Sequence, residues 1–379
     1  MRFDTLAVHG GERVPGPEGS VVFPVFQGTV FSVEPGSDYH DIKYHRLNST
    51  PTQSYLHDKL AALEGAEAAV ATSSGMAAVT TILHTLLGAG DHLLVGDCLY
   101  GGTHDFLTQH AARLGWEHSV IDTHAPRTWE VRDNTKAVLV ETITNPLMRV
   151  GRHREVVEFA REHGLTSVVD NTFASPVNFR PVVAGFDLVF NSATKYLNGH
   201  SDLVAGSVAG STDMVEQVRR TLNLYGGSLD PHAGSLLARS LKTLGVRVRQ
   251  QNANALAIAE FLAAHPKVAQ VNYAGLPGHP DHAHASELLN GYGGMVSFRL
   301  AGDVPAAEAL LSALRLPANA PSLGGVETLI TRPATTSHAG MSPQDRAEVG
   351  ITDDLIRLSV GIEDAEDLLA DFTEALDKV

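Results

Sequence analysis

The sequence has a single cysteine, no long hydrophobic run and fewer basic than acidic residues. Cys98 is the only cysteine among 379 residues. A single cysteine excludes an intrachain disulfide and a cysteine-rich metal site, and it fits a reducing compartment. No segment approaches the run of about 18 apolar residues that a membrane helix needs, and the first residues lack a signal-peptide pattern. We therefore expect a cytoplasmic protein that has no membrane association.

The charge balance argues against a nucleic-acid partner. Lys and Arg number 28 against 43 Asp and Glu, for a net charge of -15. The best basic cluster, "GVRVRQQ" with Arg247 and Arg249, lies in a helical pattern, where a solvated or interface face is the simpler interpretation. Composition is otherwise typical of a soluble enzyme, with 43% hydrophobic and 19% charged residues.

The order of the patterns predicts an α/β protein with three parts. Residues 1–50 are rich in Gly and Pro and predict an N-terminal arm. Residues 51–245 alternate short apolar runs with helical spacings, which predicts a large domain whose mostly parallel sheet is covered on both faces. Residues 229–266 predict one or two long helices, and 246–379 a smaller α+β domain.

Polar residues follow several of the predicted strands. They are Ser73–Gly75, Asp97, Glu141, Asp170–Thr172 and Ser192–Lys195. Because ligands of open parallel sheets bind at the carboxyl ends of the strands, we expect these residues to form one site.

Three of these positions have a specific chemical interpretation. Gly75, in "TSSGMAAV", opens a helix whose free N–H groups suit a phosphate, with an ordinary helix cap as the alternative. Asp170 ends an apolar strand and needs a partner such as a protonated ring nitrogen, unless it only caps the following turn. Lys195 follows "FDLVFNSAT" and suits a Schiff base better than a surface position. Together the three match the requirements of pyridoxal phosphate.

Motifs along nearly the whole chain resemble the Cys/Met metabolism (transsulfuration) family of fold-type I pyridoxal-phosphate enzymes. This family contains cystathionine γ-synthase, cystathionine β- and γ-lyases and methionine γ-lyase. The motifs occur in the family's order: "SSGMAA", "YGGT", "ETITNP", "VVDNTF", "SATKYLNGHSD", "SLGGVETL" and "IRLSVGIED".

The resemblance implies a role for each matching residue. Lys195 would form the imine with the cofactor and carry protons, Asp170 would pair with the pyridine nitrogen, and Tyr100 would stack on the ring. The implied phosphate ligands are Ser74, Gly75, Met76, Ser192 and Thr194, and the implied substrate-carboxylate ligands are Arg357, Asn145 and Ser322.

The family also implies an assembly with shared sites. Tyr44 and Arg46, in "YHRLNSTPT", correspond to a Tyr-x-Arg pair that reaches the phosphate of a neighbouring subunit, in a homotetramer built from two dimers. This loop departs from the family's usual Tyr-Ser-Arg-x-Gly-Asn-Pro-Thr.

The implied activity is that of a carbon–sulfur lyase acting on cystathionine or a related sulfur amino acid, releasing keto acid, ammonia and thiol. The alternatives are γ-replacement, as in cystathionine γ-synthase or O-acylhomoserine sulfhydrylase, and methionine γ-lyase. Asp105 and Pro321 stand where many cystathionine γ-enzymes have Arg and Glu, so we expect an altered distal end of the substrate site.

Two further features have simple interpretations, and a noncatalytic function is disfavoured. The histidines of "GHPDHAHA" predict a polar loop and no metal, and Cys98 predicts a small buried side chain. A noncatalytic protein of the same fold would have no need to keep Lys195, Asp170 and Arg357.

Overall fold

The computed structural model describes residues 1–39 and 42–379, so two residues of the predicted arm lie outside the described part. A seven-stranded sheet has the order β1-β7-β6-β5-β4-β2-β3 and is parallel except at β7, which is antiparallel to both its neighbours. Its strands are β1 (Ala68–Thr72), β2 (His92–Gly96), β3 (Glu117–Ile121), β4 (Thr135–Glu141), β5 (Thr166–Asp170), β6 (Leu188–Asn191) and β7 (Gly206–Gly210).

A second sheet of five strands follows it in the chain. Its order is β10-β11-β12-β9-β8, and only the β10–β11 pair is parallel. The strands are β8 (Val268–Asn272), β9 (Met295–Leu300), β10 (Ala318–Asn319), β11 (Leu329–Thr331) and β12 (Ile356–Ser359).

Helices cover the sheets. They are α1 (Phe3–His9), α2 (Pro51–Glu64), α3 (Gly75–Leu86), α4 (Gly101–Gln109), α5 (His153–Glu162), α6 (Ser175–Asn178), α7 (Pro181–Ala184), α8 (Thr212–Tyr225), α9 (Pro231–Leu241), α10 (Leu244–Ala264), α11 (His282–Leu288), α12 (Asp303–Ala313), α13 (Pro343–Glu348) and α14 (Ala365–Asp377). Among the described residues, none of these helices is both long and apolar enough to cross a membrane.

Strand β4 shows why the large sheet is covered on both faces. Val138 and Val140 point into one buried cluster, and Ala137 and Leu139 into another. Because successive side chains of a strand point to opposite faces, a continuous apolar run must be buried on both sides. The predicted large α/β domain with a mostly parallel sheet is confirmed, and a third cluster forms the core around the smaller sheet.

Local sequence sets the ends of the helices next to the strands. Helix α2 begins with a capping box, in which the side chains of Thr50 and Gln53 each accept a hydrogen bond from the other's backbone N–H. Pro51 occupies the first helical position, where no backbone N–H is needed. Where one or two long helices were predicted over 229–266, the structure has two, α9 and α10, and the predicted boundary at 245 falls at the start of α10.

The first part of the arm packs on its own chain. Lys59 of α2 is fully buried and donates hydrogen bonds to the carbonyl oxygens of Ala7, Val8 and Gly10, at 2.9, 3.3 and 3.2 Å. Its charge is paired with Glu12 at 3.2 Å. A buried ammonium group is stable only with such a set of acceptors, so Lys59 fixes the carbonyl end of α1 against the large domain.

Candidate active site

One cavity of about 660 Å³ lies at the carboxyl ends of β1, β4, β5 and β6. We call the side formed by these strand ends the floor, with Ser74, Gly75, Met76, Glu141, Asp170, Thr172, Ser192, Thr194 and Lys195. The opposite side, which we call the roof, contains Pro321, Ser322, Leu323, Thr336, Ser337 and Arg357. The floor is therefore made by the large sheet and the roof by the part of the chain that contains the smaller sheet.

Lys195 lies in the turn after β6, and its Nζ donates a hydrogen bond to Ser322 Oγ at 2.8 Å. Burial and the neighbouring charge of Arg357 lower the pKa of Lys195 to about 8. Gly324 approaches this turn so closely that a Cβ there would lie 2.7 Å from the backbone nitrogen of Tyr196, and its φ is +75°. Only glycine fits there, so the "SLGG" stretch of the roof can lie directly on the lysine turn.

Asp170 is the last residue of β5. Its Oδ1 accepts hydrogen bonds from the backbone N–H of Thr172 at 2.9 Å and from the Thr172 hydroxyl. Burial raises the pKa of Asp170 to about 6, although the two Thr172 contacts oppose this shift. Thr172 Oγ1 in turn accepts from the backbone N–H of Ser192 at 2.9 Å. Asp170 is thus fixed by one threonine that also ties β5 to the lysine turn.

The turn between β1 and α3 makes the predicted phosphate end of the floor. Ser74 is the N-cap of α3, and its Oγ accepts from the backbone N–H of Ala77 at 3.0 Å. A Cβ on Gly75 would lie 2.7 Å from Ser192 Cβ, so glycine is required where the two strand ends meet. Ser74 therefore both caps α3 and borders the cavity, an arrangement that suits an anion at the first N–H groups of α3.

Arg357 stands on β12 and is only 3% exposed. Its Nη1 donates to Asn145 Oδ1 and its Nη2 to the carbonyl oxygen of Ser322, both at 3.1 Å. Its buried Nε has no hydrogen-bond partner among the described residues. Burial lowers the pKa of Arg357 to about 10. A buried donor without a partner is costly, so this Nε is available to a bound ligand that can accept a hydrogen bond.

Tyr100 lies at the mouth of the cavity just before α4, and its residue is 43% exposed. The predicted residues Tyr44 and Arg46 do not line the cavity of their own chain. Arg46 instead donates to the carbonyl oxygen of Asn223 at 2.9 Å and to the Tyr39 hydroxyl at 2.8 Å. The other residues to which the family resemblance assigns a role all border the cavity. Of the strand-end residues expected in the same site, Ser73, Asp97 and Asn171 do not border it.

The distal end of the cavity differs from the expectation at one position. Pro321 borders the cavity, whereas Asp105 does not; its Oδ1 lies 3.5 Å from His104 Nδ1. Asp105 lies on α4, and its side chain packs against the loop that contains Gly340, which we call the 340 loop. A Cβ on Gly340 would lie 2.9 Å from Asp105 Oδ2. Asp105 therefore contacts the 340 loop and does not border the cavity of its own chain.

Some cavity residues were not assigned a role from the sequence. Thr172 has a recognisable signal, because a hydroxyl two residues after a strand-end acid commonly bonds back to it. Thr336 and Ser337 reach the cavity from a loop that no motif marked. Glu141 was noted only as a strand-end residue.

The histidine cluster and Cys98 have ordinary contacts. His282 Nδ1 and His284 Nε2 bond to the carbonyl oxygens of Ala274 and Gly151, and His279 Nδ1 accepts from the N–H of Asp281. Within residues 1–39 and 42–379, no group of three or more His, Cys, Asp or Glu is arranged for a metal. Cys98 Sγ lies 3.3 Å from the Asn145 carbonyl oxygen, and burial raises the pKa of its thiol.

A mostly parallel sheet with a lysine turn, a strand-end aspartate and a helix N-terminus at one cavity defines a fold-type I pyridoxal-phosphate enzyme. More particularly, the chain belongs to the family described as Cys/Met metabolism PLP-dependent enzyme, whose family model matches residues 4–377. The resemblance inferred from the motifs is confirmed.

Relatives of several activities share the whole chain. It is 41% identical to the cystathionine gamma-lyase of Bacillus subtilis over all of both chains. It is 40% identical to the L-methionine gamma-lyase of Pseudomonas putida, over 99% of this chain and 97% of the relative. The crystal structure of cystathionine gamma-lyase from Lactobacillus plantarum complexed with L-serine has a TM-score of 0.94 and 34% identity, and covers 100% of this chain and 99% of that one.

The residues present fit pyridoxal phosphate. The N-terminus of α3 and the hydroxyls around Gly75 suit the phosphate, and Ser192 leaves no room at Gly75 for a larger residue. Asp170 offers an acceptor to a protonated ring nitrogen, and Lys195 has a pKa low enough to supply neutral amine. Each end of the cofactor therefore has a matching group in the floor.

Proposed function

We propose that this enzyme is a carbon–sulfur lyase that cleaves cystathionine or a related sulfur amino acid by β- or γ-elimination. The observation that carries the proposal is the link between floor and roof: Lys195 and Arg357 meet at Ser322, which bonds the amine through its hydroxyl and the guanidinium through its carbonyl. An amino acid held by its carboxylate at Arg357 would thus have its α-carbon near Lys195. Both of the relatives named above, from Bacillus subtilis and Pseudomonas putida, are lyases of sulfur amino acids.

The proposed roles follow from the chemistry of each side chain. Arg357 and Asn145 bind the α-carboxylate, since the guanidinium has an unused buried donor. Bound pyridoxal phosphate supplies an electron sink for the substrate's α-carbon. Lys195 removes the α-proton, and for γ-elimination it returns a proton further along the substrate. The Ser322 hydroxyl orients its amine, and Asp170 keeps the cofactor's ring nitrogen protonated.

The bond that is cleaved is tested by the products. Purified, cofactor-loaded enzyme is incubated with L-cystathionine, and the keto acid and thiol are identified. Pyruvate with homocysteine indicates β-elimination, and 2-oxobutyrate with cysteine indicates γ-elimination. If neither product pair forms, the proposed elimination from cystathionine is wrong. L-Methionine then tests the methionine γ-lyase activity, and an O-acylhomoserine together with a thiol tests γ-replacement. The latter alternative is supported by a solved cystathionine gamma synthase from Xanthomonas oryzae pv. oryzae, 38% identical with a TM-score of 0.93 over 100% of this chain and 98% of that one.

We further propose that two chains share each site within a homotetramer, with residues 1–50 as the arm, 51–245 as the large domain and 246–379 as the small one. Tyr44 and Arg46 lie outside their own cavity, on an arm with several exposed valines, Val21, Val22, Val30 and Val33. Such a surface suits a subunit interface.

Subunit mixing tests the shared site. Arg46→Ala and Lys195→Ala enzymes should each be nearly inactive, the first through weak cofactor retention. If sites are shared, a dimer of one Arg46→Ala chain and one Lys195→Ala chain has one intact site and one doubly altered site. When equal amounts of the two variants are refolded together, about half of the dimers are mixed, so about a quarter of wild-type activity should be recovered. Separately refolded and then pooled variants are the control. Recovery no greater than in that control would contradict sharing.

A further inference from the structure

Glu141 is the floor residue that the proposed function leaves without a role. It ends β4 directly beside Asp170 at the end of β5, because the two residues are paired in the parallel register. It borders the cavity yet is only 7% exposed. A buried acid needs hydrogen-bond donors or a cation, and Glu141 is held by backbone N–H groups.

The contacts of Glu141 are with backbone groups on the two sides of the cavity. Its Oε1 accepts a hydrogen bond from the N–H of Tyr100 at 2.5 Å. It also accepts from the N–H of Asn145, whose side-chain oxygen receives Arg357. One carboxyl group therefore joins the segment of the ring-stacking tyrosine to the segment of the substrate-carboxylate site.

The two neighbouring acids cannot both be charged at low cost. Within the described part of the chain, the basic side chains nearest them are engaged elsewhere: Lys195 with Ser322, and Arg357 with Asn145 and Ser322. Asp97 and Cys98, on the segment before Tyr100, add no positive charge. When two buried carboxyls share a single cation, here the protonated ring nitrogen of the bound cofactor, one of them keeps its proton. Both carboxyls accept hydrogen bonds from donors, but Asp170 also faces the cofactor's ring nitrogen, so Asp170 is the better place for the charge.

We propose that Glu141 is a positioning residue that acts as a neutral carboxylic acid: it fixes the backbone at Tyr100 and Asn145 and leaves the negative charge of this edge on Asp170. Burial and the adjacent Asp170 raise the pKa of Glu141, in agreement with this assignment. The cofactor part of the inference rests on family membership, and the part concerning the substrate carboxylate rests on the proposed function.

The test compares Glu141→Ala with Glu141→Gln. Glutamine is neutral, has the same size and keeps a carbonyl acceptor, whereas alanine leaves the two N–H groups unpaired. Glu141→Ala should weaken cofactor retention and raise KM, each by about tenfold or more, with a smaller change in kcat. Glu141→Gln should recover most of both losses. Glu117 on β3, exposed and paired with Arg132, provides the matched Ala and Gln controls on the same sheet, which should change neither quantity.

A spectroscopic measurement covers the case in which the alanine variant does not fold. The infrared difference spectrum of wild-type holoenzyme minus Glu141→Gln holoenzyme at neutral pH should show a protonated-carboxyl stretch that shifts in D₂O. A carboxylate band in its place, or a Gln variant as impaired as the Ala variant, would show that the charged form is needed and overturn the proposal. Unchanged cofactor retention in Glu141→Ala would overturn it as well. Cofactor retention and the infrared band need no substrate, so they remain informative if the proposed lyase reaction is wrong.

Discussion

The floor and the roof of the cavity are built from contacts of very different range. In the floor, Asp170 is held by Thr172, two residues away, and Ser74 caps an N–H three residues away. In the roof, Arg357 reaches Asn145 across 212 residues, and Ser322 meets Lys195 across 127. The floor is therefore a property of local strand-to-helix turns, while the roof exists only when the two sheets are packed together. We expect the floor to govern the cofactor and the roof to govern the substrate.

Removing the floor's amine should have the largest effect. Lys195→Ala eliminates the proposed proton carrier, and kcat should fall by at least about 10³-fold. The absorbance of the lysine-bound cofactor should be lost as well, which spectrophotometry detects directly. Lys136→Ala is the control, since this lysine is half-exposed and lies 3.8 Å from Asp91, far from the cavity lining. Retained activity in Lys195→Ala would remove the basis of the proposed mechanism.

A conservative change in the roof should separate substrate from cofactor. Arg357→Lys keeps a positive charge but loses the planar fork that binds Asn145, Ser322 and a carboxylate together. KM for the amino acid should rise by about 100-fold, with a smaller change in kcat. The cofactor dissociation constant, measured by dialysis and absorbance, should stay close to wild type. A large loss of cofactor in this variant would mean that floor and roof are not independent.

Ser322→Ala tests the contact where floor and roof meet. It removes the hydroxyl that accepts from Lys195 Nζ but leaves the carbonyl that accepts from Arg357. We expect kcat to fall by about tenfold and KM to change little, because only the orientation of the amine is lost. Steady-state kinetics beside Ser286→Ala, an exposed serine on α11, provide the comparison. A rise in KM alone would place the hydroxyl in substrate binding.

The smallest effect is expected behind the floor and concerns stability only. Glu64 is buried, and its Oε1 accepts a hydrogen bond from Asn191 Nδ2 at 2.8 Å. Its Oε2 and Asn191 Oδ1 have no hydrogen-bond partner in the part of the chain that the structure describes. Burial raises the pKa of Glu64 from 4.5 to about 7. The folded protein therefore binds more protons than the unfolded chain between these values, so stability falls as pH rises through this window.

Glu64→Gln should remove that pH dependence. Its amide can donate to Asn191 Oδ1, and above pH 7 the free energy of unfolding should rise by about 2 kcal/mol. Denaturant unfolding across the window measures it, with the exposed Glu260→Gln as control. Activity should not change, since Glu64 does not border the cavity. Equal stabilisation at acid and neutral pH would show that titration of Glu64 is not the cause.

The part of the site that could be predicted from local patterns is the part with short-range causes, whereas Asn145, Ser322 and Arg357 were indicated only by the family resemblance. Gly75, Asp170 and Lys195 follow apolar strands, and parallel strands bring their carboxyl ends to one edge. The neutral-acid role inferred for Glu141 could not be anticipated, because it depends on the register that sets it beside Asp170. The position of Asp105 depends on the 340 loop, which no local pattern describes.

The amino-acid sequence by itself determined the strand-to-helix turns, the caps of α2 and α3 and the order of residues along the floor, because propensity, periodicity and capping act over a few residues. Only the tertiary structure decided that Arg357 meets Asn145 and that Ser322 lies on the lysine turn. Those contacts depend on how two separately buried sheets pack, and packing is a property of the whole buried surface.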